Sequence, residues 1–146
     1  VASEFPRIDD RFAASRHRHG YIAAASQRTK GDGGLFHEIA HIDCDTGHVS
    51  SWDAGFGNGV SEPVFVEKNT GSKEGEGWLL ATVYDSKASI SSMVILDAQA
   101  VSDGPVAVAK LDHRIPYGFH GSWRHSVTRN SRRHFSSPSS VKRLSG

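Results

Sequence analysis

Short apolar runs broken by glycine- and serine-rich turns recur along the chain, and none is long enough to make an amphipathic helix. The clearest is Trp78-Leu79-Leu80-Ala81-Thr82-Val83-Tyr84-Asp85, rich in the aromatic and branched residues that suit a pleated surface. A turn at Ser86-Lys87-Ala88 leads into Ser91–Asp97, and Val106–Leu111 makes a further run. Upstream, Leu35, His37, Ile39 and His41 alternate with Phe36, Glu38, Ala40 and Ile42, the two-residue period of a strand. Asp45-Thr46-Gly47 then reads as a hairpin turn, with His48 to Trp52 returning. Residues 21–25 and 61–66 make two more short strands, while 31–34, 53–59 and 68–77 are polar or glycine-rich loops. Pro6 and the Asp9-Asp10 pair argue against a helix near the N-terminus. The spacing predicts an all-β meander.

A chain of 146 residues, 37% hydrophobic and with 15 glycines, supports one small domain with a modest core. No apolar run is long enough to span a bilayer. The first residues, Val1-Ala2-Ser3-Glu4-Phe5-Pro6, contain neither an initiator methionine nor a secretory signal, so a processed or truncated chain is expected. Cys44 is the single cysteine, which excludes an internal disulfide and a cysteine-built zinc site. It fits a reducing compartment and a cytoplasmic location.

The net charge of +1 conceals an asymmetry. Residues 124–146 carry six basic side chains (Arg124, Arg129, Arg132, Arg133, Lys142 and Arg143) and no acidic ones, leaving residues 1–123 at −5. Two parts follow: a folded body over 1–123, and a basic, serine-rich tail over 124–146 expected to be disordered. Such a tail could hold phosphates electrostatically, but apart from Phe135 it lacks interleaved aromatics, and nucleic-acid binding is not expected. The Arg16-His17-Arg18-His19 cluster is short and sits among acids, so it reads as a solvated or internally paired face.

Three motifs carry possible chemistry. In Arg114-Ile115-Pro116-Tyr117-Gly118-Phe119-His120-Gly121-Ser122-Trp123, a histidine lies among glycines and aromatics. Glycine permits sharp turns and close approach, so His120 suits a metal ligand, although a hydrogen-bonded core histidine satisfies the same pattern. His37-Glu38-Ile39-Ala40-His41 matches H-E-x-x-H, which binds zinc only when a helix sets both imidazoles on one face. Ten residues separate Gly34 from Asp45, several of them strand formers, so a zinc metalloprotease ranks third among the readings. Asp45-Thr46-Gly47 echoes the aspartic-protease triplet but has no second copy to share a proton, and a turn explains it.

Six segments in order resemble the carotenoid oxygenase family. They are Ser3-Glu4-Phe5-Pro6-Arg7-Ile8-Asp9, Arg18-His19-Gly20-Tyr21, Ser61-Glu62-Pro63-Val64-Phe65-Val66, Gly77-Trp78-Leu79-Leu80, Val94-Ile95-Leu96-Asp97-Ala98 and Pro116-Tyr117-Gly118-Phe119-His120-Gly121. The family includes carotenoid and apocarotenoid cleavage dioxygenases, lignostilbene dioxygenases and the retinoid isomerase of the retinal pigment epithelium. The resemblance covers residues 3–123 and only the C-terminal part of a family member. It implies the last blades of a seven-bladed β-propeller with a non-haem Fe(II) on its axis, held by four histidines, three of them oriented by glutamates. Matched motif to motif, His120 takes the place of the last iron ligand. Glu4 and Glu62 take the places of two glutamates, expected to orient histidines outside these residues.

The resemblance further implies an oxygenase that splits a conjugated C=C bond of a carotenoid, apocarotenoid or stilbenoid with O₂. Phe56, Tyr117 and Phe119 are candidates for lining the substrate tunnel, with core packing as the alternative for each. So apolar a substrate implies access at a membrane surface. The competing class is a non-enzymatic truncated β-domain with a basic tail for nucleic acid or acidic surfaces.

Overall fold

The computed structural model describes residues 2–26 and 36–124. Within them the chain is all-β: nine strands in two antiparallel sheets, with short 3₁₀ turns at Asp10–Phe12 and Val101–Asp103. The first sheet is a meander of β1 (Ala2–Ile8), β2 (His19–Ala25), β3 (Glu38–Asp43) and β4 (His48–Asp53), each paired with the next. The hairpin between β3 and β4 turns at Gly47, whose φ of 72° is one that side chains rarely adopt. Asp43 Oδ1 accepts the Asp45 and Thr46 N–H groups in this turn.

The second sheet contains β5 (Asn58–Val60), β6 (Val64–Glu67), β7 (Gly77–Asp85), β8 (Ile90–Asp97) and β9 (Pro105–Lys110). β5 and β6 both pair with β7, one beside Val83–Asp85 and the other beside Gly77–Leu80. Together they form one outer strand interrupted at Ser61-Glu62-Pro63. Ser61 spans half the gap, donating its N–H to the Thr82 carbonyl while its hydroxyl accepts from the Thr82 N–H. Pro63 has no N–H to offer a ladder. The break therefore leaves Glu62 outside the regular pairing, and its side chain is free to turn inward.

The core lies between the sheets. Tyr21, Ala23 and Ile39 from the first meet Val60, Leu79, Ala81, Val94 and Leu96 from the second, all buried. Burying each large aliphatic side chain contributes about 1.5–3 kcal/mol. Tyr21 stacks on Phe65 with ring centroids 5.8 Å apart, linking the two sheets.

Three boundaries differ from the sequence expectation. The first residues form an edge strand with a bulge, because the positive φ of Phe5 absorbs an extra residue between Glu4 and Arg7. Strand β3 begins at Glu38, after Phe36 and His37; Leu35 and the expected loop at 31–34 lie outside the described residues. The glycine-rich loop after β4 stops at Gly57, since β5 starts at Asn58. Apart from the exposed Arg124, the basic tail lies outside the described residues.

Candidate metal-binding and substrate site

After β9 the chain runs without regular structure to Arg124, and its position is set by fastenings at both ends. At the start, buried Ser91 on β8 accepts the Leu111 N–H at its carbonyl and the Ile115 N–H at its hydroxyl. Its own N–H donates to the His113 carbonyl, 3.1 Å away. Arg114 then lies over the Tyr84 and Tyr117 rings, 4.9 and 5.7 Å from their centroids. At the far end the fastening is Glu62. Its Oε2 accepts the Gly121 N–H at 2.8 Å, and its Oε1 lies 3.2 Å from His120 Nδ1.

The Glu62 side chain is 4% exposed, whereas that of His120 is 75% exposed. A carboxylate oxygen accepts, so Nδ1 is the nitrogen that donates here, and the neutral ring in this tautomer carries its lone pair on Nε2. Phe5 meets the same ring edge-on, with centroids 6.0 Å apart. The Arg7 guanidinium approaches Glu62 Oε1 to 3.7 Å from β1. A neutral imidazole whose second nitrogen donates to a carboxylate is the donor chemistry that suits Fe(II) or a similar transition metal. The residues present therefore fit such a group.

Two apolar cavities of about 310 and 220 Å³ adjoin this pair and share Ser61, Thr82, Ile115, Pro116, Gly118 and Phe119. The larger is also lined by Glu62, His120 and Trp123, the smaller by Phe5, Phe36 and Tyr117. Phe119 thus flanks the space next to His120, though it is 78% exposed, whereas Tyr117, 53% exposed, lines only the smaller cavity. Phe56 is 70% exposed in the loop before β5 and lines neither cavity.

Glu62 departs from expectation: the histidine it meets is His120 of this same chain, not one outside it. Glu4 is exposed on edge strand β1, opposite Ala23, and among the described residues it makes no side-chain hydrogen bond or ion pair. Phe5 and Arg7 lie in the first of the six resembling segments without a role assigned to either, and Ser91 lies in no motif.

The H-E-x-x-H match is overturned as a zinc-protease site. His41 lies within β3 and His37 immediately precedes it, so roughly 13 Å of extended chain separates the two. No helix brings them together. Buried His37 lies 3.3 Å from Ser26 Oγ and 3.5 Å from Glu38 Oε1. His41 instead lies 2.9 Å from His19 Nδ1 through its Nε2 and stacks on Tyr21. Burial, reinforced by the neighbouring His19, pushes the His41 pKa down. The Arg16–His19 cluster is internally paired in part, since Arg18 binds Asp43 and Arg16 binds Asp45.

The sequence model of the retinal pigment epithelial membrane protein family (RPE65) matches residues 1–125. The chain is 35% identical over 127 residues to lignostilbene-α,β-dioxygenase isozyme III of Sphingomonas paucimobilis, covering 82% of this chain and 26% of that protein. Its fold resembles the crystal structure of Pseudomonas brassicacearum lignostilbene dioxygenase, with a TM-score of 0.80 and 26% identity over 85% of this chain and 27% of that one. It also resembles a cobalt-substituted Synechocystis apocarotenoid oxygenase, with a TM-score of 0.78, 32% identity, and 85% and 26% coverage. The chain thus spans about a quarter of the length of the proteins it matches.

Proposed function

The chain belongs to the retinal pigment epithelial membrane protein family, the carotenoid oxygenases, and on that premise we propose that it forms the C-terminal part of a seven-bladed β-propeller non-haem Fe(II) dioxygenase. The proposed reaction is cleavage of a conjugated C=C bond of a stilbenoid, apocarotenoid or carotenoid by O₂, giving two carbonyl products. The observation that carries this reading is the 3.2 Å approach of His120 Nδ1 to buried Glu62, which aims Nε2 outward as a ligand. That a Synechocystis relative takes a cobalt-substituted form supports a transition metal in such a protein.

In this reading His120 holds the metal, and Glu62 fixes its tautomer and orientation. Glu4 orients a histidine supplied by another part of the protein, as are the remaining ligands. When bound, the iron supplies the activation of O₂. Phe119 contributes apolar surface beside His120 for the conjugated substrate, and Tyr117 contributes it in the adjoining cavity. The reading places the enzyme in the reducing cytoplasm, taking so apolar a substrate from a membrane surface. Among the described residues no helix is long and apolar enough to cross a membrane.

The test is oxygen uptake by the full-length iron-loaded protein with stilbenoid and apocarotenoid substrates, with mass analysis of the products. Paired carbonyl fragments from one double bond are expected. Binding of these substrates without cleavage or oxygen consumption would overturn the proposed activity.

A further inference from the structure

Strand β1 does more than edge the first sheet. Its bulge sets two residues, Phe5 and Pro6, between Glu4 and Arg7 against the single Ile22 between their partners Ala23 and Tyr21 on β2. Cross-strand partners point to the same side of a sheet, and Ala23 and Tyr21 share a face. Glu4 and Arg7, whose odd spacing would put them on opposite faces of a regular strand, are therefore brought to one face. The same irregularity presents the Phe5 ring to His120.

At that face Arg7 is the cation that meets Glu62, its side chain 20% exposed against 4% for the carboxylate. A carboxylate so far removed from water requires opposite charge and filled hydrogen-bond positions. Glu62 has both: Oε2 receives the Gly121 N–H, while Oε1 lies between His120 Nδ1 and Arg7. The other arm of the guanidinium reaches exposed Asp10 at 3.5 Å, and its buried Nε has no partner among the described residues.

We infer that Arg7 is a positioning residue for the metal site, a cation delivered by the β1 bulge that locks the Glu62 carboxylate and, through it, the aim of His120 Nε2. The inference rests on the reading of His120 as a metal ligand. Arg7 touches neither metal nor substrate and acts only through Glu62. Its influence must therefore vanish when the Glu62 carboxylate is gone.

The experiment is cobalt(II) titration of the metal-free full-length protein, followed by visible absorption, for Arg7→Met, Arg7→Lys, Glu62→Gln and the double variant Arg7→Met/Glu62→Gln. Loss of the group that orients a ligand costs about 10–100-fold in metal affinity, and Arg7→Met, one contact further out, is expected near the lower end of that range, with a lowered thermal midpoint because buried Glu62 loses its counter-charge. Arg7→Lys should recover part of the loss, and Arg7→Met should add nothing in the Glu62→Gln background. Should Arg7→Met fail to fold, Arg7→Gln makes the same comparison while keeping a hydrogen-bonding side chain. Wild-type cobalt affinity in the neutral variant, or losses that multiply in the double variant, would overturn the inference. His120→Ala is run in parallel. If it retains cobalt, the underlying reading falls and takes this inference with it; if it loses cobalt while Arg7→Met does not, only the role of Arg7 falls.

Discussion

Glu62 reaches His120 across 58 residues of sequence because Pro63 and the gap between β5 and β6 release it from the sheet. Other charged side chains on the opposite sheet give separable pH signatures. Arg18, together with the backbone N–H groups of Asp45 and Thr46, holds the Asp43 carboxyl well below the usual carboxylate range. Since the folded pKa is depressed, this stabilisation is complete above about pH 4 and fades as pH falls below it. The thermal midpoint difference between wild type and Asp43→Asn should accordingly shrink between pH 5 and pH 3. His41 is also depressed, by burial first and by His19 second, so the unfolded chain takes up its proton more readily. Stability should decline as pH falls below about 6.5, the ordinary histidine value, and His41→Phe should remove that step in midpoint-against-pH curves. At this scale glycines and aromatics drew attention to His120 without choosing between a ligand and a core histidine, and the ligand reading came from the family resemblance. The partner of Glu62 was not, since nothing local records which histidine lies beside a carboxylate so far along the chain. Arg7 stood within a resembling segment, but its approach to Glu62 was hidden for the same reason.

Strands were legible wherever they are long and rich in branched or aromatic residues, and β7 and β8 appear nearly as the pattern predicts. Strand β1 was missed because Pro6 and the bulge at Phe5 interrupt its alternation, and β5 because three residues within a glycine-rich stretch show no period. H-E-x-x-H illustrates the converse: the spacing is present, but a strand cannot give it the helical meaning. Gly77 marks where two elements approach most closely. A Cβ there would meet the Val66 carbonyl oxygen at 2.3 Å and the Phe65 ring at 2.5 Å. Gly77→Ala must therefore part β6 from β7, and a loss of about 3 kcal/mol is expected, at the upper end for overpacking. Denaturant unfolding measures it, and a loss below about 0.5 kcal/mol would contradict this packing.

Two antiparallel sheets share a small core, and among the described residues their outer strands pair on one side only. β9 is exposed almost throughout, with Val106 and Val108 more than half uncovered, and β4 exposes Val49. Uncovered apolar edge strands template association. These 146 residues on their own should self-associate, and a Val106→Lys/Val108→Lys variant should lower the weight-average mass in sedimentation. The all-β class and the family were legible from strand spacing and the six ordered segments. How the sheets meet was not, because the contacts that join them, Tyr21 on Phe65 for one, are remote in sequence. The account turns on His120 as a ligand aimed by Glu62, and iron analysis of the full-length protein tests that most directly. Stoichiometric iron in the wild type and in a Phe56→Ala control, falling to trace levels in His120→Ala with the fold intact, is the predicted result. Full iron occupancy in His120→Ala would contradict it.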